Sequence, residues 1–230
     1  MPNWCSTYIK FYSKDKNLIT EYQKKLQEIY DAPATIENGF GNGFLGDFVN
    51  TLLADHPDTE KISYRGYLTE SPNSYEIDDY GGHYVFSLST ETAWGPMLEM
   101  WSLILKKFSN GRIRLAYIAE ECGCELYQFY DPDELFNFSQ YKLELCIEGD
   151  NESEEFENLE EVKEYLYSIK ELELEEGILD NKNADELKMF LHELTEKFEE
   201  DDTGDYIYFY QFIENTEYLD LDYEEEDEAA

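Results

Sequence analysis

Several residue groupings in this sequence have types and spacings that could carry chemistry. The most literal is Gly41-Asn42-Gly43-Phe44-Leu45-Gly46, a G-x-G-x-x-G run. In a dinucleotide-binding fold such glycines bring backbone amides to a pyrophosphate at a helix N-terminus, provided that a strand feeds the motif. No strand pattern precedes this one, and the better reading is a flexible loop between a helix and a strand. Cys122-Gly123-Cys124 would place two thiols on one side of a strand, with Cys5, Cys146 or His83 as further zinc ligands. The C-x₂-C spacing of structural zinc sites is absent, so these cysteines read as small apolar residues. The segment from Asp150 to Glu161 imitates a calcium loop, but Glu155 stands where the sharp turn requires glycine. No G-x-S-x-G is present, and His56, His83 and His192 have no nucleophile at a telling spacing. With 54 acidic side chains, some carboxylate pair suited to hydrolysis is inevitable, which makes any chosen pair uninformative. No catalytic residue, metal site or cofactor is assigned.

The grouping that points to binding lies near the C-terminus. Tyr206, Tyr208 and Tyr210 alternate along an apolar run that reads as a strand over 206–213. Acidic residues flank them: Glu199, Glu200, Asp201, Asp202 and Asp205 before, and Glu224, Glu225 and Glu226 after. A half-buried strand between solvated charges would give the same pattern. The sharper reading is that carboxylates approach the charge density of duplex DNA, about one per 1.7 Å, and compete for a basic groove. The tyrosines would then supply contact area where charge supplies mainly association rate and salt sensitivity.

The elements that must position these residues can be read in order. Residues 6–12 form a strand pattern, followed by Leu18, Ile19, Tyr22, Leu26 and Ile29 at helical spacing. A short helix is expected at 47–54 and strands at 61–69 and 83–90. Pro96 opens a helix carrying Leu98, Trp101, Leu105 and Phe108, which Asn110-Gly111 closes before a strand at 112–118. This β-α-β-β-α-β order predicts an α+β fold, a ferredoxin-like antiparallel sheet with helices on one face. Further strands are expected at 124–130 and 141–147, and helices at 158–171 and 184–198, with Asn183 and Glu186 as a capping pair. The 206–213 strand, apolar or aromatic on both faces, is expected inside a sheet and not on its edge. The expected division is a ferredoxin-like domain at 1–149 and an acidic strand-helix-helix-strand extension at 150–230.

Charge separates the same two parts. The 230 residues hold 17 basic and 54 acidic side chains, a net charge of −37 at neutral pH. Residues 1–149 carry 12 basic and 23 acidic side chains, and residues 150–230 carry 5 and 31, so the extension holds −26 of the total. The chain is 42% hydrophobic and 16% aromatic, ample for a packed core despite the self-repulsion. Such an anion gains nothing from counterion release at DNA, RNA or an anionic membrane, so its partner should be basic, cationic or small. No secretory signal pattern opens the chain and no apolar run reaches the roughly 20 residues that span a bilayer, so a cytoplasmic protein with free thiols is expected.

The opening Met1-Pro2-Asn3-Trp4-Cys5, the segment Thr92-Ala93-Trp94-Gly95-Pro96, the helix with Trp101, and Tyr117 to Glu120 and Glu121 before Cys122-Gly123 resemble the YubB-type ferredoxin-like proteins of plasmids and phages. The resemblance covers residues 1–130 and leaves the acidic extension unmatched. It implies a fold and a mobile-element setting, and transfers no catalytic residues. Together with the charge, it predicts a non-enzymatic inhibitor that blocks a basic nucleic-acid-handling defence protein of the host, of anti-CRISPR or anti-restriction type. Two alternatives stand beside it. A protein sequestering a nucleotide signal would draw on Arg65, Arg112, Arg114, Lys106 and Lys107, and a metal-dependent enzyme would act through carboxylates.

Overall fold

The structure, a computed structural model, describes residues 3–34, 39–57, 59–201, 203–217 and 219. It is a mixed α+β chain that divides into two compact units, one of residues 1–135 with 214–230 and the other of residues 136–213. The expected boundary at 149 therefore moves. Gly149, at φ +86, belongs to a hairpin turn inside the second unit. The strand that precedes this turn pairs within the second sheet and contributes nothing to the first. Periodicity identifies a strand but not the sheet it joins, which is why the charge step was a poor guide to the structural boundary.

The first unit begins with β1 (Trp4–Ser13) and α1 (Lys16–Asp31). Asp15 caps α1 by accepting from the amides of Asn17 and Leu18, and the helix buries Leu18, Ile19, Tyr22, Leu26 and Ile29 along one stripe. Next come α2 (Leu45–Leu52), β2 (Gly66–Leu68), β3 (Asp78–Tyr80) and β4 (His83–Ala93). The expected strand at 61–69 shrinks to Gly66–Leu68, and its first expected residue falls in a 3₁₀ turn at Thr59–Lys61. Then follow α3 (Leu98–Ser109), β5 (Arg114–Glu121) and β6 (Leu126–Tyr130). Asn110 at φ +52 and Gly111 at φ +83 end α3 in the left-handed region. Strand β1 lies between β4 and β5, antiparallel to both, with β2 beyond β4 and β6 beyond β5. Alternation along β1 sends Cys5, Thr7, Ile9 and Phe11 to a core with Phe86, Leu88, Tyr117 and the helices, where Trp101 is wholly buried. The residues between them, Trp4, Ser6, Tyr8 and Lys10, lie on the opposite face.

The second unit is a three-stranded sheet, β7 (Tyr141–Ile147) flanked by β8 (Asp150–Phe156) and β9 (Tyr206–Gln211), with α4 (Leu159–Ser168) and α5 (Ala184–Glu200) between β8 and β9 in the chain. Leu143, Leu145, Ile207 and Phe209 pack against Val162, Leu166, Leu187 and Leu191 of the helices. Asn183 and Glu186 form the expected capping box, each side chain accepting from the other's amide. Strand β9 lies on the edge of this sheet, contrary to expectation. Its outward-facing aromatic side chains are tyrosines, whose rings can face water through their hydroxyls. Its free edge is managed by the buried Thr195 of α5, whose hydroxyl accepts from the Ile207 amide and donates to the Ile207 carbonyl, both at 3.0 Å. A final two-residue strand, β10 (Ile213–Glu214), lies beyond β6. No helix among the described residues is long and apolar enough to cross a membrane.

Candidate partner-binding site

Because Ile207 and Phe209 fill the core, the period of two along β9 turns Tyr206, Tyr208 and Tyr210 to the other face. Their rings form a ladder, with centroids 5.0 Å apart from Tyr206 to Tyr208 and 6.4 Å apart from Tyr208 to Tyr210. Tyr208 is 44% exposed, and its neighbours in the ladder are half-buried. The register places Cys146, Glu144 and Lys142 of β7 beside the three rings in turn. Lys142 and Glu144 pair at 3.0 Å, and the Tyr206 hydroxyl donates to Asn151 of β8. The face is thus aromatic at its edge strand and polar behind it, with its cation already matched to a carboxylate.

The acidic residues preceding the ladder lie at the C-terminal end of α5. Glu199, Glu200 and Asp201 are exposed there, with Lys197 the basic residue of the last turn. Helix carbonyls make that end negative, so these carboxylates oppose the helix dipole. Asp185 and Glu186, at the opposite end, favour it. Asp205 has a structural task, since its carboxylate accepts from the Glu148 amide at 2.9 Å and ties β9 to the β7–β8 turn. That contact brings Glu148 and Asp150 to the same end of the unit as Asp201 and Asp205. Asp202, Glu224, Glu225 and Glu226 lie outside the described residues.

The other groupings resolve into structure. Gly43 packs under β2, where an added Cβ would come within 2.7 Å of the Leu68 carbonyl oxygen, and a Cβ on Gly46 would run into the Phe44 ring. The glycine run is therefore a packed turn leading into α2, with no strand before it among the described residues. Asp150 to Phe156 form β8, and Glu161 accepts from the Glu157 amide at the start of α4, so the apparent calcium loop is a strand followed by a helix cap. Cys122 is exposed in a 3₁₀ turn, not on a strand, while Cys5 and Cys146 are buried. Burial pushes the Cys5 thiol up to about 11, which keeps it protonated at neutral pH. His83 packs edge-on against Tyr12, and His192 lies on α5 beside Glu196 at 3.6 Å. Among the described residues, no group of three His, Cys, Asp or Glu side chains is placed to hold a metal ion. A shallow cavity of about 240 Å³ is lined by Asp55, His56, Pro57, Leu103, Lys106 and Lys107.

The segments around Trp4, Trp94 and Glu121 meet at one end of the first sheet, a convergence that sequence separation hid. The Trp94 amide donates to the Asn3 carbonyl, and Thr92 donates to the Gly95 carbonyl at 2.6 Å. Glu121, 2% exposed, accepts from the Gly123 amide with one carboxylate oxygen, while the other has no partner among the described residues. A Cβ on Gly123 would meet the Asn3 side-chain amide, which would have to move aside. Comparison with protein-family models, with curated proteins and with solved structures finds no match to this chain.

Proposed function

We propose that this protein is a non-enzymatic inhibitor that binds a basic nucleic-acid-handling protein, of anti-CRISPR or anti-restriction type, through the tyrosine ladder and the acidic end of the second unit. The observation that carries the reading is the placement of Glu199, Glu200 and Asp201 at the negative end of α5, one short loop from an exposed Tyr208. Charge so placed works against the helix, so it is better explained by a partner than by the fold. Tyrosine beside carboxylates is suited to a cationic protein surface, since aromatic anchors give affinity and charge gives steering. The antiparallel order β5-β1-β4-β2, with α1 and α3 as the two crossing helices, supports a ferredoxin-like scaffold of the YubB type for the first unit. A cytoplasmic, mobile-element setting belongs to the same proposal.

The test is capture of candidate effector complexes from bacterial lysate at low and high salt. Wild-type protein should retain its target at about 50 mM salt and lose it by about 500 mM as the screening length shrinks. Tyr208→Ala and the triple change Glu199→Gln, Glu200→Gln, Asp201→Asn should each weaken capture about tenfold or more. Salt-insensitive capture that survives both changes would sink the proposal. The nucleotide-sequestering alternative has one observation in its favour, the cavity bordered by His56, Lys106 and Lys107. A nucleotide copurifying in native mass spectrometry would favour it instead.

A further inference from the structure

The helices of the first unit cover one face of its sheet, and the residues that β1 turns the other way include two exposed aromatic side chains, Trp4 at 37% and Tyr8 at 53%. An aromatic ring half in water on the central strand of a broad sheet is unusual, because central strands are normally covered on both faces or polar on the open one. Between these rings lies the small side chain of Ser6. The register sets Glu91 of β4 and Glu120 of β5 directly opposite Ser6, one on each side. The Ser6 hydroxyl donates to Glu91 at 2.6 Å.

A notch therefore opens over Ser6. Its ends along the strand are Trp4 and Tyr8, whose Cα atoms are about 13 Å apart at the rise of an antiparallel strand. Its sides are two carboxylates on strands about 4.8 Å away. Trp4 is held by edge contacts with Phe40 and Tyr67, each with centroids at 5.8 Å, so its ring is fixed in place. Beyond Tyr8, Tyr75 and Tyr80 are also exposed, and the Tyr75 hydroxyl donates to Glu70 at 3.0 Å. Past Tyr8 along β1 this face closes: the Lys10 ammonium donates to the Leu135 carbonyl at 2.6 Å and lies 5.9 Å from the centre of the Tyr80 ring, and Tyr12 is wholly buried.

We propose that this open sheet face docks a basic segment of a protein partner, seating an arginine or lysine side chain over Ser6 between the rings of Trp4 and Tyr8 and the carboxylates of Glu91 and Glu120. The ring faces and the carboxylates select a cation together, and the carboxylates repel phosphate, which excludes the nucleic-acid strand that an aromatic sheet face could otherwise stack. This surface is built from the first unit alone and does not depend on the tyrosine ladder of the second.

Fluorescence anisotropy of a labelled peptide of alternating arginine and glycine, titrated with the full chain at 0.15 M salt, tests the site. Tyr8→Ser and Tyr8→Phe both leave the net charge at −37, so diffuse attraction of the peptide is the same in each. Tyr8→Ser should weaken binding about tenfold, while Tyr8→Phe should stay within about twofold of wild type because it keeps the ring. Met189→Ser, an exposed position on α5 away from the ladder, should leave binding unchanged. Circular dichroism of Tyr8→Ser should match wild type, since the side chain is half in water. Equal affinities for wild type and Tyr8→Ser, equal losses in Tyr8→Ser and Tyr8→Phe, or tighter binding of a single-stranded oligonucleotide than of the peptide would each overturn the proposal. If the peptide is lost only in Tyr208→Ser, it binds the second unit and this site is refuted while the ladder is supported.

Discussion

In the first unit the open part of the outer sheet face presents separate rings, Trp4 and Tyr8, with single carboxylates between them; in the second the rings form a continuous row on an edge strand, and the carboxylates fill the strand and helix ends nearby. Their cores differ as well. The first buries Trp101, Phe11, Tyr22, Phe48 and Phe86, whereas the second relies on Leu143, Leu166, Leu187 and Leu191. Charge per residue is higher where the core is smaller and the sheet narrower: residues 136–213 carry −18, and the remaining 152 residues carry −19. Electrostatic self-repulsion is thus concentrated in the part with least apolar burial to offset it, an arrangement that function explains better than stability does.

The largest way to break this comparison is to empty the larger core. Trp101→Ala should cost about 3–5 kcal/mol, the range for truncating a fully buried tryptophan. Amide hydrogen exchange would show whether the loss stays local: protection in β1 and β5 should fall while that in β7 and β9 is kept. Equal loss in both sheets would mean that the two units unfold as one.

A smaller effect is expected at the edge of the second sheet. Thr195→Val keeps the shape of the side chain but leaves the Ile207 amide and carbonyl without their 3.0 Å partner. Removing a partner from buried backbone groups costs about 1–3 kcal/mol. The urea midpoint of the second unit should drop accordingly, and a midpoint that does not move would show that water replaces the hydroxyl. Below this comes Asn183→Ala, which removes one half of the capping box and should cost about 1 kcal/mol, read by the same midpoint.

These residues also show how much the sequence could reveal. Asn183 with Glu186 was legible because capping is local chemistry written within four residues. The helices α1, α3 and α5 and the strands β1, β4 and β5 were legible because each buries one face at a regular period. Strand β8 was not, since Asp150-Asn151-Glu152-Ser153-Glu154-Glu155 has no apolar period and is held by backbone pairing to β7 and by the hydroxyls of Tyr206 and Tyr165 from other elements. The edge position of β9 was hidden because hydropathy counts tyrosine as apolar, and because the residue that covers the edge, Thr195, sits on another element. In the candidate site, the acids and tyrosines could be named from sequence, but the opposition between the carboxylates and the α5 dipole required the helix end. The notch at Ser6 required strand register, which no single-sequence pattern carries.

The smallest stability change is the most informative about why the charge is where it is. Replacing Glu199, Glu200 and Asp201 with their amides removes three exposed negative charges from the negative end of α5. Carboxylates there cost a few tenths of a kcal/mol each at low ionic strength, so the triple variant should be more stable than wild type by about 1 kcal/mol at most. The gain should be visible in about 10 mM salt and largely screened by about 500 mM, where the Debye length falls below 5 Å. Capture of a basic partner should move the opposite way, weakening in the variant. If stability rises and capture is unchanged, the acidic end is only solvated charge. If stability rises while capture falls, the protein holds these carboxylates against its own folding for the sake of its partner, and the second unit is the acidic interface that the charge asymmetry foretells.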